Sequence, residues 1–311
     1  MNELAGFFSI GAVERDTGIG RDTLRVWERR YGFPSPARND KGERVYPETQ
    51  LRMLQRIRRL MDQGVRPGQV LPPNETNLSQ LEASLVAPED AAASSVTEVI
   101  LDALSGSNTD RIKKLLQTTY EEQGMEAFVQ ETVAPMLVKL GNRWFTGELR
   151  IFHEHILSQY LIRFLNSKIL EHEFTDKNTR VVLATLPGEQ HSLGLLMVAS
   201  LLAVQGIEAI NLGSEAPIDE IDQAVRQSGA KILGLTFSTA YPYSSIRSNL
   251  VELRSLLPQD IEIWVGGEGV RRLRKLPVGV TKFTSLDEVK NRIKAIAANI
   301  AQKSRSRSTR Q

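Results

Sequence analysis

The sequence predicts a multidomain protein of mixed α and α/β class: an N-terminal winged helix-turn-helix, a four-helix bundle, and a C-terminal doubly wound parallel sheet. Three observations carry that prediction. Two short helical patterns meet at a Gly-Ile-Gly turn near the N-terminus, residues 96–176 place apolar side chains at helical spacing, and beyond 177 short apolar runs alternate with helical segments. A length of 311 residues accommodates two or three separate cores. Hydrophobic residues at 41% and charged residues at 24% exclude a wholly disordered or fibrous chain.

The first domain spans 1–72. Helical patterns over Ile10–Thr17 and Arg21–Arg30 are separated by Gly18-Ile19-Gly20, where glycine permits a sharp reversal. Phe33-Pro34-Ser35-Pro36 cannot continue a helix, and Arg38 to Tyr46, with turn residues at its centre, reads as a β-hairpin wing. A third helix from Pro47 to Gln63 sets Leu51, Leu54, Ile57 and Met61 on one side and Arg52, Arg56 and Arg59 on another, so one face packs and the other is basic. Past Pro72, residues 73–95 open on Pro73 and carry many small polar residues, the composition of a linker with room for local helix.

Residues 96–176 form the expected bundle, with Val99, Ile112, Leu116, Phe128, Leu140, Ile156 and Phe164 among its apolar positions. Pro135 falls inside the third helix and predicts a kink or break. From 177 to 302 the order is strand (Arg180–Thr185), helix (Ser192–Gln205), strand (Ile207–Leu212), helix (Ile218–Ser228), strand (Ile232–Phe237), helix (Ser244–Leu257) and strand (Ile261–Val265). That alternation predicts a ligand at the carboxyl ends of the strands. The serine- and arginine-rich segment 303–311 reads as a basic disordered tail.

Absence of cysteine excludes disulfides, thiolate metal sites and cysteine nucleophiles, and fits a reducing cytoplasm. The longest strongly apolar stretch, Leu193 to Val204, is well short of the ~20 residues of a membrane span, and no signal pattern opens the chain, so no membrane partner is expected. Net charge is only +2, yet residues 1–66 hold 13 basic against nine acidic side chains and 303–311 hold four basic and none acidic. That asymmetry points to polyanion contact at the N-terminal end.

Arg21, Arg25, Arg29 and Arg30 lie on and around the second helix, where a major groove would meet them, while Arg38 and Arg44 would clamp backbone from the wing. The competing reading is a small solvated domain whose arginines keep it soluble. The ordered combination decides: Ser9-Ile10-Gly11, Thr23-Leu24-Arg25-Val26-Trp27-Glu28-Arg29-Arg30-Tyr31-Gly32, Pro36-x-Arg38 and Gly42-x-Arg44-x-Tyr46 resemble the MerR family of winged-helix transcription regulators. The resemblance covers about 70 residues. It implies double-stranded promoter DNA as partner, a contact for Tyr46 beside the arginines, no enzymatic activity, and self-association as a dimer or tetramer. The cysteine-based metal-sensing branch is excluded.

In the sheet domain, Gly188-Glu189-Gln190-His191-Ser192-Leu193-Gly194 follows a predicted strand and precedes a helix. A lone loop histidine is more often solvated than ligating, but Thr236-Phe237-Ser238 and Gly266-Gly267 bring hydroxyl and small residues to the same sheet edge. The set resembles the Rossmann-like cobalamin-binding (vitamin B12) fold, with glutamate in place of the commoner aspartate and Thr236-Phe237-Ser238 in place of Ser-x-Leu. The resemblance implies His191 as lower axial cobalt ligand, Glu189 as its orienting partner, and Ser192, Gly194, Thr236, Ser238, Gly266 and Gly267 along the nucleotide tail.

A third resemblance lies in the bundle, where Trp144 precedes Glu154-His155 by ten residues. Beside the other two segments this is similar to the signature of the cobalamin-dependent photoreceptor regulators of the CarH/LitR type, in which the bundle caps the upper face of the corrin. It implies adenosylcobalamin as cofactor, with Trp144 and Glu154 near the adenosyl group, and light as signal. Phe145 stands where the better-known sensors carry histidine and cannot ligate a metal, so a second protein ligand would have to come from His153 or His155. Two other readings remain: a MerR-type regulator whose cobalamin-like domain senses another ligand or none, and a corrinoid methyl-transfer protein, against which the helix-turn-helix argues.

Overall fold

The computed structural model describes residues 7–85, 95–271 and 273–308. The chain divides into two compact units, residues 1–87 and 88–311.

In the first unit, β1 (Phe7–Ser9) leads into α1 (Ile10–Thr17), with the Ser9 hydroxyl capping it by accepting from Ala12 N at 3.3 Å. Gly18, at φ 68°, ends α1 and donates to Glu14 O, so the glycine supplies the left-handed residue that a side chain would resist. Next come α2 (Arg21–Tyr31), β2 (Ala37–Arg38), β3 (Arg44–Pro47) and α3 (Glu48–Asp62). β3 is the middle strand of a small antiparallel sheet ordered β1-β3-β2, and β2-β3 is the expected wing. Val13, Ile19, Leu24, Trp27, Leu54 and Ile57 form the core.

Two short helices, α4 (Pro67–Val70) and α5 (Glu75–Leu85), complete the unit. The helix-forming part of the expected linker therefore belongs to the first unit: Leu78 is buried, and Glu75, Ser79 and Glu82 all bond to Arg56 of α3. The expected basic face of α3 is thus partly neutralised, because α5 lays an acidic edge against it. Residues 86–94 of the linker lie outside the described residues.

The second unit opens with the four expected helices, α6 (Ser95–Ser105), α7 (Thr109–Ala127), α8 (Ala134–Thr146) and α9 (Ile151–Leu170). A π-helical turn over Phe128–Val133 joins α7 to α8, and Pro135 sits in the first turn of α8 rather than deep inside a helix. The wider turn precedes the ring whose missing N–H would otherwise interrupt the ladder. Behind it, Gly124 at φ 72° and ψ 169° kinks α7.

The sheet domain follows as β4 (Asp176–Ala184), α10 (Leu193–Val204), β5 (Ile207–Asn211), α11 (Ile218–Ser228), β6 (Ile232–Thr236), α12 (Tyr243–Leu256), β7 (Glu262–Gly266), β8 (Val280–Lys282) and α13 (Leu286–Ser308). Among the described residues its strands are all parallel in the order β5-β4-β6-β7-β8. Alternation along β4 sends Val181 and Leu183 to the core shared with the bundle and α10, and Val182 and Ala184 to the core under α11 and α12. Buried between sheet and bundle, α10 explains the longest apolar stretch of the sequence. No helix among the described residues is long and apolar enough to cross a membrane.

β8 and α13 are additions to the expected elements. The backbone of α13 remains helical to Ser308, which corrects the expected disordered tail over 303–308; residues 309–311 lie outside the described residues. Near its start, α13 bonds to the bundle through Asp287 and Lys290 to Gln130 and through Lys294 to Glu126.

Candidate functional site

Strand order reverses direction between β4 and β6, so the loops after these strands diverge and leave a crevice at their carboxyl ends. The loop after β4 carries Glu189 and His191, and the loop after β6 carries Ser238. Glu189 is 1% exposed. Its Oε1 accepts from His191 N at 3.0 Å and lies 2.7 Å from His191 Nδ1, while its Oε2 accepts from Ser238 N at 2.6 Å. Burial pushes the Glu189 carboxyl up, but the hydrogen bonds from His191 and Ser238 together outweigh it and hold the group below the ordinary carboxylate range. An ionised Glu189 fixes the imidazole with its proton on Nδ1, so that coordination of a metal would use Nε2. The imidazole itself is exposed, at 63% of its side-chain surface.

The crevice walls approach each other where side chains are lacking. A Cβ on Gly194, in the first turn of α10, would lie 3.0 Å from Thr236 Oγ1, and one on Gly267, at φ 91°, would collide with Phe237 O. Gly266 O accepts from Phe237 N at 3.0 Å, locking the ends of β6 and β7 together. Ser192 is the N-cap of α10. The structure therefore brings Glu189, His191, Gly194, Thr236, Ser238, Gly266 and Gly267 to one sheet edge.

On the first unit, Arg25, Arg29 and Arg30 are exposed along α2. Arg25 pairs with exposed Asp22 at 3.0 Å and Arg21 with Glu14 at 2.6 Å. Arg38 Nη1 donates to Gly42 O and so braces the wing turn. Arg44 is half-buried and its Nε donates to Glu28 Oε2 at 2.9 Å, tying the wing to α2. Tyr46 corrects the expectation: it is 0% exposed with its hydroxyl buried, so its ring serves the core and does not reach DNA.

Residues 8–70 match the MerR HTH family of regulatory proteins, and residues 179–278 match the B12 binding domain. The chain thus joins a segment similar to MerR HTH regulators to a segment similar to B12-binding domains. Over 269 residues it is 29% identical to the HTH-type transcriptional repressor CarH of Myxococcus xanthus, covering 85% of this chain and 90% of that one. It is 26% identical over 265 residues to the repressor CarA of the same organism, covering 84% and 87%. The monomethylamine corrinoid protein of Methanosarcina barkeri shares the fold, with a TM-score of 0.51 at 11% identity over 63% of this chain and 95% of that one.

The crevice of the B12-binding domain fits a cobalamin on its own chemistry. It offers one oriented imidazole and a cradle that side chains at 194 and 267 would fill. The bundle residues are placed less uniformly. Trp144 is half-buried near the end of α8, and Glu154, in the first turn of α9, accepts from Ser158 at 2.7 Å and pairs with exposed His155 at 2.6 Å. Phe145 is 4% exposed, so its ring packs inside the protein rather than presenting itself beside Trp144. His153 is also buried: its Nδ1 accepts from Arg150 N at 3.0 Å, and burial followed by the Arg150 charge lowers its pKa. That ring already caps α9, which leaves exposed His155 as the more accessible of the two.

Sequence reasoning missed Glu28, which disposes of Arg44, and Lys139, Arg143, Glu98 and Asp102, whose ion pairs join α6 to α8 just ahead of Trp144. Glu98 and Asp102, and likewise Lys139 and Arg143, recur at four-residue spacing on their helices. That spacing was a usable signal, although the pairing of the two helices was not.

Proposed function

We propose that this chain is a cobalamin-responsive transcription regulator of the cytoplasm, in which adenosylcobalamin sets the assembly state and hence the occupancy of promoter DNA. The observation that carries the reading is the buried, ionised Glu189 holding the His191 imidazole at the switch point of the sheet, in a chain that also bears an arginine-lined winged helix. His191 would supply an imidazole nitrogen to the cobalt. Gly194, Gly266 and Gly267 would admit the nucleotide tail, with Ser192, Thr236 and Ser238 supplying its polar contacts. Trp144 and Glu154 would contact the adenosyl group.

Adenosylcobalamin supplies a cobalt–carbon bond that visible light cleaves. The protein's part is to bind differently in its two states, since a ligand shifts an assembly only by its differential affinity. Trp144 on α8 and Glu154 on α9 lie in the bundle while His191 lies in the sheet domain, so contacts to both would fix their relative arrangement in the dark. Loss of the upper contacts by Trp144 and Glu154 would relax it. Dimers or tetramers suited to two-fold promoter DNA are the expected assemblies.

The test is the visible absorption spectrum of the purified chain with adenosylcobalamin, in darkness and after green light, for the wild type and His191→Ala. The expected result is a bound corrinoid whose spectrum changes on illumination, and a variant that retains markedly less cofactor or shows a spectrum without a histidine ligand. Wild-type protein that takes up no corrinoid would instead favour a regulator reading another ligand. Identical spectra and retention in the variant would remove His191 as lower ligand.

A further inference from the structure

Glu189 orients His191, but the loop that carries both is held by a residue with no place in the motif. Thr185, at the end of β4, is 0% exposed. Its hydroxyl donates to Glu189 O and accepts from Glu215 N at 2.8 Å. Its backbone is committed to the same neighbouring turn: Thr185 N donates to Gly213 O at 3.1 Å, and Thr185 O accepts from Ala216 N at 2.9 Å. The turn between β5 and α11 is thus wrapped around one buried threonine.

The turn also reaches the loop directly. Glu215 Oε1 accepts from Gly188 N at 3.3 Å and Oε2 from Gln190 Nε2 at 3.5 Å, on either side of Glu189. Glu215 adopts φ 57°, a left-handed conformation that costs a non-glycine residue and persists where surrounding contacts over-determine it. Three contacts hold it, one through its backbone N–H to Thr185 and two through its carboxylate.

We propose that Thr185 is a positioning residue for His191, acting through its bond to Glu189 O and through the turn and the Glu215 carboxylate that it organises. The inference rests on the reading of 188–194 as a cobalamin-binding loop. One hydroxyl serves two purposes: it anchors the main chain of the residue whose side chain orients the imidazole, and it fixes the turn that grips the loop's outer side. Valine has the shape of threonine and neither hydrogen-bonding capacity, so Thr185→Val removes both links at once, and Thr185→Ser restores them.

The experiment compares full-length wild type, Thr185→Val, Thr185→Ser and Glu215→Gly. Amide hydrogen exchange over residues 186–192 of the cofactor-free chain reports the loop. Nitrogen splitting in the electron paramagnetic resonance of added cob(II)alamin, with its dissociation rate, reports the His191 ligand. Thr185→Val should lose cobalamin about tenfold faster, with a reduced histidine-ligated fraction and faster loop exchange, and Thr185→Ser should recover all three. Glu215→Gly relaxes the left-handed residue while deleting the carboxylate, so it tests the grip even if Thr185→Val fails to fold; about threefold faster exchange at Gly188 and Gln190 is expected. Wild-type exchange and splitting in both Thr185→Val and Glu215→Gly would overturn the proposal. If Thr185→Val does not fold, wild-type exchange and splitting in Glu215→Gly alone would do so. A wild type that binds no cob(II)alamin would overturn the cobalamin reading, and the exchange arm would still decide whether Thr185 holds the loop.

Discussion

Arg25 and Arg44 belong to the same DNA-binding motif, but their surroundings separate what each substitution does. Arg25 pairs with exposed Asp22, an interaction of little energy, so Arg25→Ala should weaken promoter binding by about 1–3 kcal/mol and leave the unfolding temperature unchanged. Arg44→Ala should lower both, because it strips the partner from half-buried Glu28. Mobility shift and thermal unfolding of the two variants check the contrast, and wild-type DNA affinity in Arg25→Ala would remove α2 as the reading helix. Glu189 makes a pH prediction. Its folded carboxyl is held below the ordinary carboxylate range, so its contribution to stability is full above that range and is lost as pH falls through the folded value. Glu189→Gln should therefore flatten the acid limb of the stability profile, measured as unfolding midpoint against pH; an unchanged limb would show that the carboxylate contributes nothing. Phe145 is buried, so Phe145→His places a polar ring inside the protein and should cost about 1–3 kcal/mol in thermal unfolding of the cofactor-free chain.

The helices and strands were legible wherever a period ran long enough to identify a face. α1, α2, α3 and the alternation from β4 to β7 lie within a few residues of their expected places, because apolar spacing and glycine or proline stops are local properties. What the sequence withheld depends on partners distant in the chain. Arg56 reads as part of a basic face, yet Glu75 and Glu82 of α5 take it up, and Tyr46 reads as a wing residue, yet lies wholly inside. The crevice was legible as a residue set because three loops each carry a short pattern, whereas Thr185 carries none: its role comes from a hydroxyl bridging two loops. The α3–α5 contact yields a prediction at this scale. Arg56→Ala leaves two carboxylates of α5 without their cation and should destabilise the chain by about 1–3 kcal/mol, read as a lower unfolding midpoint. A midpoint equal to wild type would mean that α5 adds nothing to the first unit.

Across the whole molecule, a DNA-binding unit of residues 1–87 is joined to a unit of residues 88–311 in which bundle and sheet share one hydrophobic core. A ligand contacting both bundle and sheet would act as a physical lever, since their arrangement and the ligand's affinity are then linked. α13 strengthens the same join through its contacts with Gln130 and Glu126. On the proposed reading, occupancy of the crevice governs DNA binding. The direct measurement is the affinity of the full chain for its promoter DNA without cofactor, with adenosylcobalamin in darkness, and with adenosylcobalamin after green light, each at a stated salt concentration because phosphate contacts make affinity salt-dependent. Adenosylcobalamin should change the affinity in darkness, illumination should reverse the change, and His191→Ala should abolish the response while retaining basal DNA binding. Equal affinity in all three conditions, with the cofactor demonstrably bound, would contradict it.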